Sequence, residues 1–218
     1  TIGLLAVSGA VKDQQEIDIA KQRLEKSGFN VITNIGKNYR NMAGTKKECL
    51  DNLYGFFENK DIDVIISARG GYGTLRYLKD IDYSIIKQNP KIFIGFSDIT
   101  NLLAMFYKNT VLIGFYGPMA LSDFSTEFDK ISYYKMIEVL SNPPKTFLSD
   151  APKTLYPGIT EGILWGGNLS SLSSMCGLDF IPDEDFILFF EDWHDPVYKL
   201  DRMFTQLLNI DKFKNNLK

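Results

Sequence analysis

Histidine is nearly missing from this chain, with His194 the only one in 218 residues. Any imidazole chemistry built from these residues alone has one candidate. Cysteine is almost as scarce. Cys49 and Cys176 lie in unlike contexts with no CxxC spacing, which excludes a disulfide framework or a zinc site and leaves two reduced, partly buried thiols. No excess of positive charge exists either: 24 basic and 27 acidic side chains give a formal net charge of -3, so there is no footprint for nucleic acid or an anionic membrane surface. No apolar run reaches the roughly 18 residues that a membrane span needs, and no charged-then-apolar leader opens the chain. The cytoplasm is the expected location, although a chain that opens at Thr1 has the look of a trimmed N-terminus and leaves a removed signal peptide open. The GxGxxG spacing of a dinucleotide loop and the GK[ST] ending of a triphosphate loop are absent, as are internal repeats and low-complexity tracts.

What is there is a well-supplied core, 44% hydrophobic and 13% aromatic, enough for one large domain or two modest ones. Short apolar runs at residues 2–7, 29–35, 63–67 and 111–115 read as strands, and residues 13–26, 46–59 and 98–107 carry helical periodicity between them. Gly28 closes the first helix. Strands alternating with helices through short links predict a parallel sheet covered on both faces. A polar helix over residues 127–140 leads away from that unit, and the Pro143-Pro144 pair breaks it. The expected division is an N-terminal α/β domain at 1–140, a linker at 141–160 and a partial C-terminal domain at 161–218. That second part holds GILWGGNL at 162–169, an apolar strand at 186–190 and an amphipathic helix at 198–210.

KIFIGFSDIT at residues 91–100 carries the strongest chemical signal, because a buried strand runs through Ser97 straight into a helix. A serine on such a bend has its hydroxyl lifted clear of the sheet, beside helix amides that lack partners and can face an oxyanion. Ser97 could equally be an ordinary N-cap, and the lipase-type GxSxG pattern is not matched. Arg69-Gly70-Gly71-Tyr72-Gly73 follows a strand, where backbone amides can point at a ligand or simply make a tight turn. Glu191 and Asp192 end the apolar strand at 186–190, where they could orient a catalytic histidine or cap a helix. His194 reads as a surface loop residue, Asp201 and Arg202 as a surface pair, and Trp165 as either a stacking wall or core.

Taken together, ARGGYG at 68–73, GFSDIT at 95–100, GPM at 117–119, EGILWGGNL at 161–169 and ILFFEDWHDPVYKLDRMFTQL at 187–207 resemble the serine LD-carboxypeptidases. That family includes murein tetrapeptide carboxypeptidases and microcin C immunity peptidases, and the resemblance covers nearly the whole chain. It implies a flavodoxin-like three-layer N-terminal domain and a smaller β-rich α/β C-terminal domain. It also implies hydrolysis, without metal or cofactor, of the L,D-amide that releases terminal D-alanine from muropeptides during cell-wall recycling. Carried over by motif, Ser97 is the nucleophile and Glu191 the acid of a Ser-His-Glu triad. The amides of Gly71 and Asp98 form the oxyanion hole, and Arg69, Trp165 and Asn168 hold substrate. The partner expected is a muropeptide, in a cytoplasmic homodimer that engages neither nucleic acid nor membrane.

Two departures accompany the resemblance. The family's catalytic histidine falls in a later segment than these 218 residues, and without a base Ser97 stays protonated and nearly inert. His194 is awkward as a substitute, because the base must stand between serine and acid and His194 is three residues from Glu191. Tyr116 precedes Gly117-Pro118 where many relatives carry histidine, which touches the detail of the pocket. Two other functions stay open: an immunity peptidase using Trp165 as a shelf for a nucleotide base, and a ligand-binding relative without catalysis.

Overall fold

Five short strands, each followed by helical or looped chain, build the first sheet of the computed structural model, which describes residues 1–126, 128–142 and 153–218. They are β1 (Ile2–Leu5), β2 (Val31–Asn34), β3 (Val64–Ser67), β4 (Ile92–Gly95) and β5 (Phe115–Tyr116). Their spatial order is β2-β1-β3-β4-β5 and every pairing is parallel, with Ile2 opposite both Val31 and Val64, and Val64 opposite Ile92. This is the flavodoxin-like order, whose ligands bind beyond the carboxyl ends of the strands.

The helices follow from capping and inward periodicity. α1 (Gln14–Lys26) starts on Asp13, which accepts the Gln15 amide, and turns Ile17, Ala20 and Leu24 to the sheet. Gly28, at φ +91°, ends it. α2 (Lys46–Glu58) opens with a reciprocal Thr45–Glu48 capping box and buries Cys49, Leu53, Phe56 and Phe57. α2 lies so close to β1 that a Cβ on Gly3 would stand 2.7 Å from the Phe56 ring, which is why that strand position carries no side chain. α3 (Tyr83–Gln88) and α4 (Thr100–Thr110) complete the cover, and Phe57, Phe93 and Phe106 pack with centroids 5.2–6.0 Å apart between them. α5 (Ala120–Asp123) and α6 (Lys130–Ser141) follow β5.

Beyond residue 160 a second, smaller parallel sheet forms from β6 (Ile163–Asn168) and β7 (Phe186–Glu191). α7 (Leu169–Ser174), α8 (Val197–Leu208) and α9 (Asp211–Asn216) pack around a cluster of Trp165, Phe180, Phe186 and Phe213. The β6–β7 register pairs Asn168 with Glu191 at the carboxyl end of both strands. Lys108 on α4 reaches Asp183 at 2.8 Å and helps fasten the two sheets together.

The expected strand at 111–115 shrinks to two residues, because Val111 leaves α4 in a left-handed conformation at φ +59° and Leu112 to Gly114 run on without ladder pairing. The polar helix anticipated over 127–140 is α6, begun by Asp129, whose carboxylate accepts the amides of Ile131 and Ser132. Of the expected 141–160 linker, residues 143–152 lie outside the described residues, and so does the proline pair placed at the boundary.

Candidate active site

The carboxyl ends of β1, β3, β4 and β5 face the carboxyl ends of β6 and β7, and the chemically suggestive residues meet there. Ser97 follows β4 with φ +60°, one of the few non-glycine residues in that region. A left-handed L-residue costs roughly 1–2 kcal/mol and persists only where its surroundings over-determine it. Those surroundings are on view. The Asp98 carboxylate accepts the Ser8 hydroxyl at 2.6 Å, the Thr74 amide at 3.2 Å and the Asn101 amide group at 3.3 Å. Thr74 Oγ1 donates back to the Asp98 carbonyl at 3.0 Å. Ser8, Thr74 and Asn101 are all buried, so the loops after β1, β3 and β4 are tied into one unit through a single acid.

Room for the bend comes from glycine. A Cβ on Gly70 would lie 2.9 Å from the Ser97 Cβ and 3.1 Å from its Oγ, so the loop after β3 runs directly against the serine side chain. Next to it, Gly71 sits at φ +120° and crosses over Gly9. Among the described residues no protein acceptor takes the Gly71 amide. The Asp98 amide belongs to the first turn after the bend, where amides lack partners inside the turn. Ser97 itself is half-buried, open on the cleft side.

Glu191, the last residue of β7, is exposed at this cleft. Asn168 donates to its Oε1 at 3.1 Å across the β6–β7 pair. Tyr116, the last residue of β5, donates its hydroxyl to the same Oε1 at 2.5 Å, and the Ser97 amide donates to the tyrosine oxygen at 3.4 Å. Ser171 Oγ reaches the Ser97 carbonyl at 3.2 Å, and the Asn168 amide reaches Thr100 Oγ1 at 3.1 Å. Two residues 94 positions apart, Ser97 and Glu191, thus share one hydrogen-bonded cleft between the sheets. Asp192 is not part of it. Its carboxylate caps α7 through the amide and hydroxyl of Ser170, at 2.8 and 2.6 Å.

The three residues expected to hold substrate are Trp165, Asn168 and Arg69. Trp165 is 5% exposed and packed against Phe180 and Phe186, so its ring belongs to the core of the second sheet and offers no stacking face to the cleft. The Asn168 side chain is used in place: Nδ2 holds Glu191 while Oδ1 accepts the Ser171 amide at 3.0 Å as the cap of α7. Arg69 braces the loops after β1 and β3 by donating to the carbonyls of Ala10 at 3.2 Å and Gly70 at 3.3 Å, and its Nη2 bonds no described residue. His194 is exposed, edge-on to Trp193, and its imidazole makes no hydrogen bond among the described residues. Arg202 lies over the Tyr198 ring on the outer face of α8. Tyr116 was the residue that sequence reasoning undervalued: its place beside Gly117-Pro118 at a strand end was the available signal. Burial, and then the Glu191 carboxylate, push its phenol well above the ordinary range.

Among the described residues no group of three or more His, Cys, Asp or Glu is arranged to hold a metal ion. A groove of about 630 Å³, lined by Lys60, Lys91 and Ile113 among others, opens at the amino ends of β3 and β4, remote from these groups.

Sequence and structure comparisons agree on the relatives of this chain. Residues 2–117 match the pattern described as the LD-carboxypeptidase N-terminal domain, and residues 161–216 match the LD-carboxypeptidase C-terminal domain. A probable murein peptide carboxypeptidase of Bacillus subtilis is 36% identical over 95% of this chain and 66% of its own length. The microcin C7 self-immunity protein MccF of Escherichia coli is 31% identical over 84% of this chain and 63% of its own length. The chain therefore spans about two thirds or less of the length of these two proteins. A crystal structure of muramoyltetrapeptide carboxypeptidase from Oxalobacter formigenes superposes with a TM-score of 0.85 at 31% identity, covering 100% of this chain and 74% of that one.

Proposed function

The chain belongs to the LD-carboxypeptidase family, and from that premise we propose that it acts as a serine carboxypeptidase on the L,D-amide that holds terminal D-alanine in murein tetrapeptides. Its nucleophile belongs to an N-terminal unit at 1–140 and its acid to a C-terminal unit at 161–218. The observation that carries this reading is the pairing of a left-handed Ser97 with Glu191 in one cleft, joined through Tyr116. Similarity to the murein peptide carboxypeptidase supports the substrate class.

The proposed reaction is acyl transfer. Ser97 Oγ attacks the amide carbonyl while a histidine base takes the hydroxyl proton, and the oxyanion formed receives the amides of Gly71 and Asp98. Collapse breaks the C–N bond, with the histidinium giving its proton to the amine of D-alanine. Water, deprotonated by the same histidine, then attacks the ester and restores Ser97. Glu191 receives the N–H of that histidine. We assign the base to a histidine outside these 218 residues. Support for this is the position of His194, exposed three residues beyond Glu191, and the Glu191 Oε2 atom, which accepts no hydrogen bond from the described residues. Arg69 Nη2 is the group proposed to meet the terminal carboxylate of the substrate. The resemblance is what supports a cytoplasmic homodimer; no helix among the described residues is long and apolar enough to cross a membrane.

A second reading, hydrolysis of an aminoacyl-nucleotide by an immunity-type peptidase, is favoured by the 31% identity to MccF. Against it stands the burial of Trp165, whose ring packs on Phe180 and Phe186. Release of D-alanine from an L,D-tetrapeptide by the complete gene product, lost in Ser97→Ala, is the outcome expected. Preferential turnover of an aminoacyl-sulfamate or adenylate would reject the cell-wall substrate, and ligand binding with no turnover of either would reject catalysis.

A further inference from the structure

We propose that Tyr116 is the positioning residue that fixes the Glu191 carboxylate above the serine bend, fastening Oε1 so that Oε2 is left to meet the base. This rests on the function proposed above and adds to it a residue outside the triad. The phenol oxygen stands between the two halves of the cleft: it donates to Glu191 Oε1 at 2.5 Å and accepts the Ser97 amide at 3.4 Å. Asn168 Nδ2 reaches that same oxygen at 3.1 Å, so both donors converge on Oε1 and neither on Oε2. A carboxylate held by one oxygen from two directions has its plane defined, and an exposed acid at the end of a strand has few other restraints.

The ring that carries this hydroxyl is itself held. Phe96 and Phe189 meet it edge-on, with centroids at 6.2 and 5.2 Å, one from each side of the cleft. Space for it exists because position 167 is glycine at φ +144°, where a Cβ would stand 3.2 Å from Tyr116 Cε2 and 2.6 Å from the Thr100 methyl. The phenol is the wrong group to serve as the base. Burial and the neighbouring carboxylate keep it protonated through the neutral range, which makes it a constant donor.

A positioning role acts through Glu191, and that gives the test. In the complete gene product, Tyr116→Phe keeps the ring and removes the donor. It should lower kcat about tenfold with KM within about twofold, and leave the melting temperature nearly unchanged. In a Glu191→Gln background the same substitution should change kcat by less than about twofold, because the group it orients is gone. A second readout needs no turnover: with 13C-labelled tyrosine, the Tyr116 ring resonance at neutral pH should move in Glu191→Gln, because the hydroxyl loses its charged acceptor. Undiminished kcat in Tyr116→Phe, equal losses in both backgrounds, or a Tyr116 resonance indifferent to Glu191 would each overturn the proposal. Absence of peptide hydrolysis by the wild type would instead reject the proposed function, and the resonance experiment would still decide whether Tyr116 and Glu191 are coupled.

Discussion

The serine end of the cleft and the acid end are held in opposite ways. Ser97 is fixed by backbone: a left-handed bend, Gly70 packed against it, and a half-buried acid, Asp98, that ties three loops together through buried partners. Glu191 is fixed by side chains, through one tyrosine from the first sheet and one asparagine from the second, and it stays exposed. The difference shows what each group needs. The proposed nucleophile must hold a steep geometry against strain, which a packed backbone supplies, whereas the proposed orienting acid needs an aimed carboxylate and access from the cleft.

The sharpest way to test that contrast is to remove the proposed nucleophile, since Ser97→Ala should cut the proposed peptide turnover by about 10⁴-fold or more while urea unfolding stays close to wild type. Gly166→Ala should come next. Its Cβ would fall 1.7 Å from the Phe189 carbonyl at φ +153°, so the β6–β7 pair that presents Glu191 must part, at a cost of about 4 kcal/mol in chemical denaturation. Asp98→Ala leaves the Ser8 hydroxyl, the Thr74 amide and the Asn101 amide group without their acceptor, and about 3 kcal/mol of stability should go with it. Asn168→Ala, which loosens the acid end, should cost only about 1 kcal/mol; a loss equal to that of Asp98→Ala would erase the distinction between an anchor with buried partners and one with an exposed partner.

A further effect, confined to alkaline pH, concerns the thiols. Burial pushes Cys49, beneath the first sheet, up to about 11, and raises the half-buried Cys176 as well. Iodoacetamide at pH 8 should therefore modify Cys176 before Cys49. Because the folded state of Cys49 holds its proton more tightly than the unfolded chain, its contribution to stability is present below pH 9 and lost as pH rises toward 11. Melting temperatures across that window should fall less steeply for Cys49→Ala.

Much of the first sheet was legible because its strands are short buried runs and its helices carry an inward stripe: Ile2–Leu5 and the Ile17, Ala20, Leu24 positions announce themselves locally. The strand at 111–115 was overestimated because hydrophobicity cannot report that Val111 turns left-handed. Trp165 was ambiguous for a related reason. An indole between glycines reads the same whether it faces a ligand or, as here, Phe180 and Phe186. Asn168 and Tyr116 acquired their parts from partners far along the chain, Glu191 and Ser97, which no local pattern can specify.

By itself the amino-acid order determined the alternation of strands and helices, the bend at Ser97 and the family to which the chain is related, since each depends on neighbours within a few positions or on motifs read in series. Only the folded chain decided that Glu191 bonds Tyr116 while Asp192 caps a helix, that Trp165 is core, and that a tyrosine hydroxyl joins the two sheets. Those outcomes depend on β-strand register and on contacts between residues tens of positions apart, where a shift of one position turns every side chain to the opposite face.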